Sequence, residues 1–221
     1  MRLIFIGLDG EMTGSDVRQH ELIQIGVAFS SEDVFCSSIG WDEFCFCPES
    51  LNAISINEES IRKAPRAGDV DAALVTWLQR HNIEEHSLIP VGWEVATFDK
   101  PFVYKTLPKF SRYLHHHSVD LNAVVYTLGD VMPYLGQRPN SAAWKKMAKS
   151  VAEVTIRAEK ARLPKSHDAG EDAIMALAAW RWIRHIIADG KPGYVDAEPY
   201  EISLYALITS IDATRGQCSH I

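Results

Sequence analysis

Apolar and polar residues fall along this chain in short runs divided by turn-forming residues. The first run, Leu3-Ile4-Phe5-Ile6-Gly7-Leu8, is continuous rather than alternating, rich in β-branched and aromatic side chains, and followed by Gly10 and Gly14. A run this short and this apolar predicts a strand buried on both faces, hence central in a sheet. Leu22-Ile23-Gln24-Ile25-Gly26-Val27-Ala28-Phe29 predicts a second strand. The turn between them is short, so the pair should be antiparallel. A third strand is expected within 34–47, with Gly40-Trp41-Asp42 as a point where it could split.

The pattern then changes period. Asn57-Glu58-Glu59-Ser60 opens a short helix that ends before Pro65, and Asp69 reads as the N-cap of a helix to about Gln79. Val70, Ala73, Leu74, Trp77 and Leu78 would form its apolar face. Residues 87–95 predict another buried strand, and 97–104 begin a helix with Pro101 placed early, where proline is tolerated. Asp120 reads as the N-cap of a helix over about 122–128, or else as an outer carboxylate of a site. A loop follows at 136–140, then a helix over about 142–159 whose Lys145, Lys146 and Lys149 make a solvated face. Asp168 with Glu171 three residues later has the form of a capping box for a helix to about 188. Ile174, Leu177, Ala178, Ile183, Ile186 and Ile187 are spaced along it for burial.

Length and composition narrow this picture. At 221 residues the chain suits one domain with an appendage, and its 47% apolar and 23% charged content is ordinary for a globular protein. No apolar run approaches a membrane span, and Met1-Arg2 leads straight into a strand rather than a signal peptide, so a cytoplasmic location is expected. Cys36, Cys45, Cys47 and Cys218 form no C-x-x-C pair, which favours buried free thiols over disulfides or a zinc site. The net charge of −7 argues against broad electrostatic grip on long nucleic acid. It leaves room for a local site where bound metals cancel clustered acids.

Such a site has candidates. Asp9 and Glu11 follow the first apolar run two residues apart, so in a strand both carboxylates project to one side. Two carboxylates at the edge of an apolar core repel each other and lose hydration, which a cation between them would relieve. Magnesium suits oxygen ligands of this kind. The plainer alternative is a strand ending in a polar turn. Asp99 lies just past the buried strand at 87–95, between Phe98 and Phe102, and taken alone reads as a helix-start aspartate. His167 stands just ahead of the last helix, with Asp172 in its first turns. The three histidines at 115–117 are adjacent on a loop, a placement that predicts solvation rather than convergence on one ion.

Taken together, Asp9-x-Glu11-Met12-Thr13-Gly14, Phe98-Asp99-x-x-Phe102, and His167 with Asp172 five residues on resemble the DEDD exonuclease superfamily in its histidine-bearing branch. That branch includes proofreading subunits of replicative polymerases, ribonuclease T and oligoribonuclease. The resemblance covers about residues 1–188 and implies an α/β, ribonuclease H-like fold with a mixed five-stranded sheet flanked by helices. It implies that Asp9, Glu11, Asp99 and Asp172 are the metal-binding acids and that His167 is the general base. Two divalent ions, Mg2+ or Mn2+, about 4 Å apart would activate a water and stabilise the leaving oxygen. An imidazole titrating near neutrality would take the proton. Met12 and Thr13 stand where relatives contact the terminal nucleotide. Trp93 could stack a base or belong to the core, and Phe98 flanks the same site.

Departures and remainders complete the expectation. Many relatives carry Asn four or five residues before the middle aspartate, where this chain has Glu94 and Val95. Residues 189–221 have no counterpart in the resemblance: a linker at 190–193 precedes a segment, 201–212, with Ile202, Tyr205 and Ile208 at helical spacing. That extension would dock on the domain or serve a polymerase or homodimer partner. The expected activity is 3′–5′ exonuclease action on single-stranded nucleic acid, DNA favoured, releasing nucleoside 5′-monophosphates. Short RNA, as for oligoribonuclease, is the alternative within the enzyme class. A nuclease-dead binding or assembly module is the alternative outside it.

Overall fold

Strand β1 (Ile4–Met12) runs through the middle of the molecule because both of its faces are apolar. In the computed structural model, which describes residues 2–47, 50, 56–131 and 168–189, it pairs antiparallel with β2 (Leu22–Ala28), and β2 pairs antiparallel with β3 (Val34–Ser38). On its other side β1 lies parallel to β4 (Leu88–Gly92), which lies parallel to the two-residue β5 (Val119–Asp120). The order β3-β2-β1-β4-β5 is the mixed five-stranded sheet that the motifs imply, with the first strand central. The expected helix at 142–159, His167, and the whole of 190–221 lie outside the described residues.

Helices cover both faces. After the short helix α1 (Glu58–Lys63), one face meets α2 (Ala67–Arg80), α3 (Asp99–Thr106) and the short α4 (Pro108–Ser111). There Ile6, Leu8 and Met12 of β1 share a core with Leu74, Leu78, Phe102 and Phe110. The other face meets α5 (Leu121–Val131) and α6 (Ala169–Asp189). There Val91, Leu121, Val125, Ala179, Trp182 and Ile183 pack together, with Phe5 against Trp180 at 5.6 Å between ring centres. Alternate residues of β1 therefore serve different layers, as period two requires. Phe5 and Gly7 face α6, and Asp9 and Glu11 continue that same row.

Gly7 and Gly26 set how closely α6 approaches. A Cβ on Gly7 would stand 1.8 Å from the Ala173 carbonyl oxygen, and one on Gly26 would stand 1.9 Å from that of Ala169. Neither space exists for any side chain. The helix answers with small residues of its own: Ala169, Ala173 and Ala176 are buried against the sheet. This close seat is what carries the first turn of α6 over the acidic end of β1.

The first strand runs on through Asp9 and Glu11 to Met12, as the period-two reading of the two acids requires and the polar-turn alternative does not, because its ladder with β2 continues to Met12 opposite Leu22. Several other local expectations need correcting. The α2 helix begins at Ala67 with Arg66 at the cap, so Asp69 sits in its first turn rather than capping it. Ala73 faces solvent, whereas Asp71 is buried. The carboxylate of Asp71 accepts hydrogen bonds from the backbone N–H groups of Lys109 and Phe110, at 2.9 and 2.8 Å, and so caps α4. Cys36 and Cys45 are exposed and Cys47 half-buried, all free, since β3 is an edge strand and the chain after it lies at the surface. Among the described residues no helix is long and apolar enough to cross a membrane.

Candidate active site

Two elements deliver three carboxylates to one place. Asp9 and Glu11 come from the end of β1, and Asp172 comes from the first turn of α6, seated on the glycines above. One carboxylate oxygen from each lies within 4.8 Å of the others. The cap of α6 holds this turn: Asp168 Oδ1 accepts from the Glu171 N–H at 3.1 Å, and the Asp168 carbonyl accepts from the Asp172 N–H at 3.0 Å. The Asp168/Glu171 spacing thus marks the helix start it suggests.

Asp99 arrives by another route. After β4 ends at Gly92 the chain turns through Glu94, whose φ of 67° lies in the left-handed region. The Glu94 carbonyl accepts from the N–H groups of Thr97 and Phe98, closing the turn that starts α3 at Asp99. Asp99 is 3% exposed, and its Oδ1 accepts from the Gly10 N–H at 2.9 Å, which ties it to β1 between the two other acids. It adjoins the three-oxygen group without belonging to it. Asp120 caps α5 by accepting from the N–H of Asn122, and it lies near enough to raise the pKa of Asp99.

The electrostatics of this cluster are unfavourable on their own. Burial, then Asp99, Asp172 and Glu11, hold Asp9 well above the usual carboxylate range. Burial, with Asp172 and Asp168 adding, pushes Glu11 up to about 7. Burial likewise pushes Asp99 up to about 7, against the opposing hydrogen bond from Gly10. Converging acid oxygens, beside groups this reluctant to ionise without positive charge, are a donor set that fits a hard divalent cation.

The remaining expected contacts are placed as follows. Met12 is 4% exposed and belongs to the core, and Thr13 is fully buried, its Oγ1 accepting from the Glu21 N–H at 3.0 Å. Trp93 is half-buried against the Val91 and Leu121 cluster; Phe98 is half-buried and meets Phe102 edge-on. Glu94 is exposed, and its Oε1 accepts from Asn122 Nδ2 at 3.0 Å, so its charge is anchored at the rim. His167 is outside the described residues.

Two sets of residues read differently in the structure than in the sequence. Ring nitrogens of His115, His116 and His117 do converge within 4.8 Å, on a turn where Lys100 Nζ donates to the carbonyls of His115 and His116. Yet His115 Nδ1 accepts from the His117 N–H. A neutral ring accepting there carries its hydrogen on Nε2, which leaves no lone pair for an ion. Gln24 carries no functional signal when read only as part of a strand. In the fold its side chain donates to Asp168 and accepts from the Ala169 N–H, beside the acids. The available signal is that it is the one polar residue among Leu22, Ile23, Ile25 and Val27.

No family model matches the chain. The oligoribonuclease of Mycobacterium sp. (strain KMS) is 27% identical over 161 residues, covering 67% of this chain and 75% of the relative. That of Mycobacterium ulcerans (strain Agy99) is 24% identical over 162 residues with the same coverage. Among solved structures, cell-death related nuclease 4 (CRN-4) matches with a TM-score of 0.56 at 17% identity, covering 84% of this chain and 64% of that one. The zinc-bound E. coli exonuclease I in complex with single-stranded DNA matches at 0.54 and 14% identity, covering 87% and 42%. The chain thus spans less than two thirds of either structure, and what it shares with them is the fold. In sequence the chain is thus similar to oligoribonucleases, and it shares its fold with the two nucleases of known structure.

Proposed function

We propose that the chain is a metal-dependent 3′–5′ exonuclease that releases nucleoside 5′-monophosphates from single-stranded ends. The observation that carries this reading is the convergence of Asp9, Glu11 and Asp172 beside Asp99, four acids from three separate elements. Together they would hold two divalent ions, Mg2+ or Mn2+. Ions held there would supply an activated water and counter-charge for the oxygen leaving phosphorus. His167, one residue before the cap of α6, would take the proton from that water as general base. Met12 and Thr13, being buried, would shape the floor beneath the terminal nucleotide, while half-buried Trp93 and Phe98 would meet its base.

Between DNA and RNA, similarity to oligoribonucleases favours short RNA over the DNA expected from the motifs alone. The domain at 1–188 would carry the whole site, leaving 189–221 to dock on it or to bind a partner. The test is digestion of end-labelled DNA and RNA oligonucleotides of several lengths with magnesium or manganese, resolved by size. Faster shortening of RNA of a few nucleotides supports the oligoribonuclease-like reading. Preference for DNA restores the first expectation. No shortening of either, with the metals bound, makes the chain a binding module instead.

A further inference from the structure

Gln24 stands opposite Glu11 in the antiparallel ladder between β1 and β2, so the two side chains leave the same face of the sheet. Its amide makes two hydrogen bonds to the start of α6: Nε2 donates to Asp168 Oδ2 at 3.2 Å, and Oε1 accepts from the Ala169 N–H at 3.0 Å. Ala169 is fully buried, and its N–H is one of the first-turn donors that a helix leaves without an internal partner. A carboxamide is the group this place requires, since it must give one hydrogen and take another. Glutamate would set an oxygen against the Asp168 carboxylate, and methionine would leave the Ala169 N–H unpaired.

We infer that Gln24 is a positioning residue, which fixes the start of α6 so that Asp172 meets Asp9 and Glu11. It acts through Asp168 and the Ala169 backbone and touches no reacting atom. This inference rests on the exonuclease reading above. It adds a residue outside the three motifs whose loss should resemble loss of an outer-sphere partner of a metal ligand, worth about 10–100-fold in metal affinity or turnover.

The test compares wild type, Gln24→Met, Gln24→Glu, and Gln24→Glu combined with Asp168→Asn, all in the full chain. Three quantities are measured: melting temperature without metal, manganese affinity by calorimetry without substrate, and kcat and KM on a single-stranded oligonucleotide. Gln24→Met and Gln24→Glu should bind manganese about 10–100-fold more weakly and lose kcat to a similar degree, with KM within a few-fold. The double variant should recover both. Its new amide at position 168 can donate to the new carboxylate at position 24, while the amide oxygen still caps the Glu171 N–H. Single variants equal to wild type in manganese affinity and kcat overturn the inference. So does a double variant no better than Gln24→Glu, a comparison that decides the matter even where Gln24→Met loses its fold. Wild-type protein that neither binds manganese nor cleaves would remove the exonuclease reading itself, and this inference with it.

Discussion

Replacing Asp9 by Asn or Glu11 by Gln removes a negative charge from a place where neighbouring acids raise one another's pKa. In metal-free protein the melting temperature should therefore stay level or rise. Cleavage should fall by more than about 10²-fold, since even outer-sphere partners of a metal are worth about 10–100-fold. The same electrostatics set a pH dependence. Glu11 moves from an ordinary 4.5 to about 7, and Asp99 from 3.8 to about 7, so the folded state holds protons that the unfolded state has already lost. Their contribution to stability is complete below the unfolded values and is lost as pH rises through about 7. The metal-free melting temperature should fall between roughly pH 5 and 8, and magnesium or manganese should flatten the slope. A metal-free melting temperature that climbs over this range would mean that the acids do not crowd as described. For His167→Ala, single-turnover cleavage at saturating metal should drop about 10²–10⁴-fold, with manganese affinity kept. A rate within a few-fold of wild type would assign the proton transfer elsewhere.

At the scale of elements, the seat of α6 on Gly7 and Gly26 decides whether Asp172 reaches the other acids. Gly7→Ala pushes a methyl into the Ala173 carbonyl, so the helix must move away or tilt. Overpacking of this kind costs about 1–3 kcal/mol. The variant should melt several degrees lower yet lose far more activity than stability, because a displaced helix end spoils the site before it unfolds the domain. Calorimetric melting and cleavage rate measured on one preparation check this, and an unchanged rate in a folded Gly7→Ala would deny that the seat matters. Much of this arrangement is legible in the sequence. The unbroken apolar run ahead of Asp9 marks a central strand, and Asp168 with Glu171 marks the start of α6. What is not legible depends on partners distant in the chain. Asp71 looks like a surface residue of an amphipathic helix until α4 brings its N–H groups to it. Gln24 looks like an interruption of a strand because Asp168 is 144 residues away. For Asp9 and Glu11 the sequence leaves a strand and a polar turn both open, and the β2 ladder decides for the strand.

For the whole molecule, the net charge of −7 and an acidic centre leave little positive surface to hold a long polyanion. Binding should therefore be confined to a few terminal nucleotides, weaken with salt, and release between cuts, so that shortening is distributive. Blunt duplex should be a poor substrate because its end must fray first. Both properties follow from the claim that a metal-binding acidic cluster at the end of β1, completed by α6, cuts from the 3′ terminus. The most direct measurement uses one single-stranded oligonucleotide labelled at its 5′ end in one sample and at its 3′ end in another, with manganese, with chelator, and with Asp172→Asn. Wild type with manganese should release the 3′ label at once as a mononucleotide and shorten the 5′-labelled strand step by step. Chelator and Asp172→Asn should leave both strands intact. Release of the 5′ label first, or cleavage that survives chelator or Asp172→Asn, would contradict it.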